Sequence, residues 1–104
     1  MIIVMGSVVA QQGRYAQALA LSQEHVARSR AEPGCLAHAV HADTENPLRL
    51  VFIEQWASAQ ALWDHFKVPA SRAFAQAITA LAQGQPTMAV YDASTLAVPG
   101  RGGG

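Results

Sequence analysis

Apolar residues crowd positions 2–10 (IIVMGSVVA), stop at Gln11 to Gly13, and return in an Ala-, Leu- and Gln-rich run from Arg14 to about Arg30. The first run is short and rich in β-branched residues, which predicts a strand. In the second, Tyr15, Leu19, Ser22 and Val26 recur at i, i+4, i+7 and i+11, one thin face of a helix. Two further apolar runs, 35–42 and 48–56, flank a polar turn centred on Asp43 to Pro47, and a Pro33-Gly34 turn opens the pair. Pro fixes φ and Gly accepts positive φ, so these punctuate a hairpin. Ser58 is a good N-cap for a helix through His65. Pro69, better tolerated in a first turn than inside a helix, predicts a restart that places Phe74, Ile78 and Leu81 on one face. Gly84 and Pro86 end it, and residues 87–97 supply a last strand.

The order is therefore βαββαβ: an α+β, ferredoxin-like antiparallel sheet with its helices on one face. The strands add something about assembly. Leu48, Leu50, Phe52 and Trp56 point one way and Val51 and Ile53 the other, while Ile2, Val4 and Val8 oppose Ile3, Met5 and Val9. Both faces are apolar, yet two helices cover only one. A homodimer packed sheet on sheet, through Val51 and Ile53 or else through Leu50 and Phe52, is the expected cover.

With 104 residues the chain is sized for a single domain, 1–98, followed by a Gly-rich tail at 99–104. Seven basic and seven acidic residues leave no basic field, so nucleic acid and anionic membranes are not expected partners. No stretch approaches the ~20 apolar residues of a membrane span. The N-terminal run lacks a positive flank, so it reads as a strand rather than a secretion signal. Cys35 alone makes no disulfide within the chain, in keeping with a reducing, cytoplasmic setting.

Candidate chemistry is confined to a few side chains. Centring the turn between Asp43 and Pro47 puts His38 opposite Phe52 and diagonal to Glu54 on one sheet face. Trp56, Trp63 and His65 can join them around an apolar pocket completed by Phe52 and Phe66, and an imidazole beside a carboxylate is a competent base near neutral pH. Each also has a purely structural role open to it: His38 as a bonded core histidine, Glu54 as a partner of Arg49 or Arg72, the tryptophans as core aromatics. His25, in mid-helix, and His41, on the opposite strand face from His38, read as solvent or interface residues. No metal site is expected, because His38 and His41 diverge and no His-x3-His helix pair exists.

The run from Glu32-Pro33-Gly34-Cys35 through Glu54-Gln55-Trp56 to His65, nine residues beyond the Trp, resembles the antibiotic biosynthesis monooxygenase family, strongly over about a third of the chain and by element order over most of the rest. The resemblance implies a dimeric α/β barrel of paired sheets. It implies a small aromatic substrate and O2 as partners, with no flavin, haem or metal cofactor, and His65 as the matched histidine. Many members carry a second His beside the Pro, where this chain has Ala70. Three functions follow as expectations: a cofactor-independent monooxygenase acting on a quinol or polyphenol, with His65, His38 and Glu54 as acid-base groups; a haem-binding or haem-degrading relative; or a non-catalytic ligand-binding or isomerase protein on the same scaffold.

Overall fold

A computed structural model describes residues 1–100. Its elements are β1 (Ile2–Val9), α1 (Tyr15–Ser29), β2 (Cys35–Ala42), β3 (Arg49–Trp56), α2 (Ala59–Lys67), α3 (Pro69–Leu81) and β4 (Thr87–Asp92). The four strands form one sheet in the order β2-β3-β1-β4, every neighbouring pair antiparallel. This is the expected ferredoxin-like arrangement. The last strand is shorter than read from sequence, ending at Asp92, and the tail at 99–104 lies outside the described residues except for Pro99 and Gly100.

Helix α1 explains why its apolar stripe is thin. Its buried positions are Ala18, Ser22, His25, Val26 and Ser29. Ser22 and Ser29 each donate from Oγ to the carbonyl four residues back, at 2.7 Å, so both hydroxyls are satisfied without water. Small, self-bonded residues let the helix sit close to the sheet. At the other helical layer, Ser58 caps α2 by accepting from Ala61 N at 3.1 Å, and Val68 takes extended geometry, as a residue before proline does. The break brings the first turn of α3 against the last turn of α2.

The hairpin register departs from the sequence expectation by two residues. Asp43 Oδ1 accepts from Glu45 N and Asn46 Oδ1 from Leu48 N, spreading the turn toward Arg49. His38 therefore pairs directly with Glu54, and Phe52 pairs with Val40. The faces themselves are as expected. Val4, Val8, Leu50, Phe52 and Trp56 lie under the helices, which removes Leu50 and Phe52 from consideration as an outer surface. Two apolar clusters make the core, one around Val8, Leu50, Phe52 and Ile78 and a smaller one of Val4, Trp56 and Leu62. Glu54 sits on β3 between Phe52 of the first and Trp56 of the second.

One glycine is required by both conformation and space. Gly34 has φ +80°, and a Cβ there would stand 2.6 Å from Ala61 Cβ of α2. Its carbonyl accepts from Ala57 N at 2.8 Å, so the turn before β2 is fastened to the start of α2. That fastening carries Glu32 to the end of α2.

Candidate functional site

Between the sheet and α3 lies a largely apolar cavity of about 350 Å³. Phe52, Phe66, Phe74, Ile78 and Met88 supply its walls, and Gly6, the one residue of the inward row of β1 without a side chain, leaves it room. The histidines and the carboxylate of its lining are His25 from α1, Glu54 from β3, and His65, which has Ser71 beside it at the α2–α3 break. Arg72 lies on the lining as well.

Each polar group is held by a partner. His65 is 4% exposed, and its Nδ1 stands 2.8 Å from Glu32 Oε1 and 3.5 Å from Ser71 Oγ. Glu54 Oε1 accepts from Trp56 Nε1 at 2.9 Å. His38 Nε2 lies 3.3 Å from the same oxygen, close enough to attract but too oblique for a full hydrogen bond, and neither His38 nitrogen has an aligned partner among the described residues. Burial alone would raise the Glu54 pKa. The close approach and charge of His38, with the Trp56 bond, outweigh it and hold the carboxyl below its usual range.

His25 is buried at 5% exposure, stacked on Phe74 with ring centroids 4.0 Å apart. Its Nδ1 faces Arg28 Nη2 at 3.1 Å, and that nitrogen also donates to Ala70 O. Burial first, then the charges of His38, His65 and Arg28, push its pKa down to about 3, against a smaller opposing pull from Glu54. The expectation that His25 is a solvent or interface residue is thus corrected: it belongs to the centre of the site. The periodic pattern missed it because its buried neighbours on α1 are Ala and Ser, which leave little apolar signal.

The expected site residues divide into three groups. His65, Glu54, Phe52 and Phe66 line the cavity. His38 and Trp56 stand behind it, Trp56 fully buried with its ring 4.7 Å from that of His65. Trp63 is absent from the lining; it is 43% exposed and packs against Phe66, their ring centroids 5.7 Å apart. Glu54 pairs with neither Arg49 nor Arg72, since Arg49 faces Asp43 at 3.8 Å. Glu32, read from sequence only as the start of a turn, proves to be the partner of His65. The Glu32-Pro33-Gly34 spelling was the available signal, because a carboxylate just before a turn fixed by Pro and Gly is held in place.

Strand spacing did separate His38 from His41, but the tertiary fold joins three other combinations: one ring nitrogen each of His25, His38 and His65 lies within 4.8 Å of the others. Three imidazoles are a familiar metal donor set. To coordinate through its cavity nitrogen, however, His25 would have to place Nδ1–H against the Arg28 guanidinium, donor facing donor.

A family model for antibiotic biosynthesis monooxygenase matches residues 1–77. A crystal structure of an antibiotic biosynthesis monooxygenase superimposes with a TM-score of 0.84 at 29% identity, covering 90% of this chain and 99% of the other. PA3566 from Pseudomonas aeruginosa gives 0.79 at 27% identity over 86% of this chain and 90% of its own. Rv0793 from Mycobacterium tuberculosis gives 0.85 at 20% identity over 93% and 98%, a likeness of fold. The uncharacterised Synechocystis protein sll1783 is 32% identical over 68 residues, 65% of this chain and 46% of that protein, so the chain spans about half the length of the curated relative it matches. With its ferredoxin-like sheet and a family match over three quarters of its length, the chain belongs to the antibiotic biosynthesis monooxygenase family.

Proposed function

We propose that this protein is a cofactor-independent monooxygenase that oxidises a quinol or polyphenolic aromatic with O2, acting as a homodimer. The observation that carries the reading is His65, on the lining of an apolar, aromatic-walled cavity, with the Glu32 carboxylate 2.8 Å from its Nδ1. The cavity's volume falls at the lower end of the roughly 300–1,000 Å³ of small-molecule sites, suited to a compact aromatic. A carboxylate oxygen accepts only, so His65 donates to it from Nδ1 and offers Nε2 as a base. Taking the proton of a phenol leaves an electron-rich phenolate. That anion passes one electron to O2, and recombination of the two radicals forms a C–O bond. Loss of water then leaves one oxygen atom in the product, with the substrate itself supplying both electrons.

Oxygen uptake across a panel of hydroquinones and anthrone-like phenols, with ¹⁸O₂ incorporation into product, tests this. His65→Ala should cost some stability, about 1–3 kcal/mol from lost packing and the orphaned Glu32, and in protein still folded should lower turnover by roughly 10²–10⁴-fold. An absence of uptake on every compound would sink the oxygenase reading. Retained binding of those compounds without turnover would instead favour a non-catalytic binding protein, and a Soret shift on adding haem the haem-binding relative.

A further inference from the structure

His25 and His65 both line the cavity, with ring centroids 5.3 Å apart, and what stands behind each ring is opposite in charge. Behind His65 is the Glu32 carboxylate, which can only accept; Nδ1 carries the proton and Nε2 presents a lone pair. Behind His25 is the Arg28 guanidinium, which can only donate; Nδ1 must be the lone pair, and the ring's single proton sits on Nε2. The ring is not free to turn over, because Phe74 stacks on it with planes 5° apart and Arg28 is anchored to Ala70 O. A second proton would face Arg28 on its own helix, His38 across on β2 and His65 on α2, with Glu54 of β3 alone to offset them. Two histidines of the same site are therefore set to opposite tasks.

We propose that His25 is a second catalytic residue, a neutral imidazole whose Nε2–H donates a hydrogen bond to the substrate oxygen as that oxygen loses its proton to His65, with Arg28 the positioning residue that fixes the tautomer. The inference rests on the phenol-oxidising reading and deepens it. One ring nitrogen each of His25, His38 and His65 lies within 4.8 Å of the others and the His25 and His65 ring centroids are 5.3 Å apart, a separation that a single oxygen accepting from one ring and donating to the other can span with hydrogen bonds of about 2.8 Å. The proton passes from the phenol O–H to His65 Nε2, making an imidazolium against Glu32. The electron pair stays on oxygen, and His25 keeps its own proton while stabilising the charge. A donor already in place on a largely apolar lining needs no rearrangement as the charge develops. The substrate it selects is one whose ionising oxygen is bonded directly to an aromatic ring small enough to sit among Phe52, Phe66 and Phe74.

Long-range ¹H–¹⁵N NMR of the ring nitrogens between about pH 5 and pH 8, the range in which an ordinary histidine titrates, tests the assignment without any substrate. With His25→Gln to identify its signals, His25 should remain neutral and protonated on Nε2 throughout. Arg28→Met should release it, to titrate or to exchange tautomers. A proton on Nδ1 in the unaltered protein, titration of His25 within that window, or one equivalent of zinc shifting the His25, His38 and His65 signals together would overturn the proposal. In oxygen uptake with a hydroquinone the protein accepts, His25→Phe, which preserves the stack on Phe74, should lower kcat by roughly 10²-fold, as loss of an oxyanion donor does, and His25→Gln should recover part of it. An undiminished rate in folded His25→Phe refutes the donor role alone. No turnover by the unaltered protein refutes the phenol-oxidising reading and this role with it, so the two failures are told apart.

Discussion

A neutral histidine held inside a protein leaves a mark on the pH dependence of folding. His25 binds its second proton at about pH 3 when folded and near 6.5 when unfolded, so between those values the unfolded chain holds more protons. Stability must fall as the pH drops from 6.5. Glu54, whose folded pKa is below its unfolded 4.5, adds to the loss at lower pH: its contribution is present above 4.5 and disappears as the pH falls through the depressed value. Thermal melts should be flat from pH 8 to 7 and lose on the order of 1 kcal/mol, roughly 5 °C, between pH 6.5 and 5. His25→Gln should flatten that first slope and leave the steeper fall below pH 4.5. Little of this was legible in the sequence. His65 and Glu54 announce themselves through their spacing to Trp56, but the rank of His25 depends on Ser22 and Ser29 satisfying their own hydroxyls, which hydropathy registers as a polar helix face.

At the scale of elements, turns carry the strongest sequence signal and the weakest metric one. The Asp43–Pro47 turn is plain from its residue types, yet which residues face each other across it depends on two side-chain caps whose geometry composition does not encode. A shift of two kept every residue on its face while moving His38 from beside Glu54 to directly opposite it. The Pro33-Gly34 turn was equally plain, though its contact with α2 was not. Gly34→Ala must adopt a left-handed φ and push against Ala61, and should cost about 1–3 kcal/mol of stability. It should also lower turnover beyond any loss of folded protein, because the same turn aims Glu32 at His65. Ala61→Gly in that background relieves the clash but not the φ, so a partial recovery in a chemical melt is the expected result.

For the molecule as a whole, the sheet has a covered face and an open one. Met5, Ile53 and Tyr91 are 38–51% exposed on the side away from the helices, with Val51 and Ala39 among them. The alternation that predicts this was legible along β1 and β3, since strand periodicity is local and needs no knowledge of register. We expect light scattering to give the mass of a dimer. Ile53→Lys, which places a charge in that apolar patch, should give monomer or aggregate while the cavity on the opposite face stays formed. A stable monomer from the unaltered chain would remove the dimer from the reading.

The contact between Trp56 and His65 has an optical consequence. An excited indole loses its energy to an imidazolium touching it far more readily than to a neutral imidazole, and these rings are 4.7 Å apart, with Trp56 shielded from solvent. Trp63 emits from the surface and can be removed as Trp63→Phe. What remains is an intrinsic lamp whose brightness should follow the arrival of a proton on His65, so that the first step of the proposed chemistry can be sought in a stopped-flow trace without any added dye.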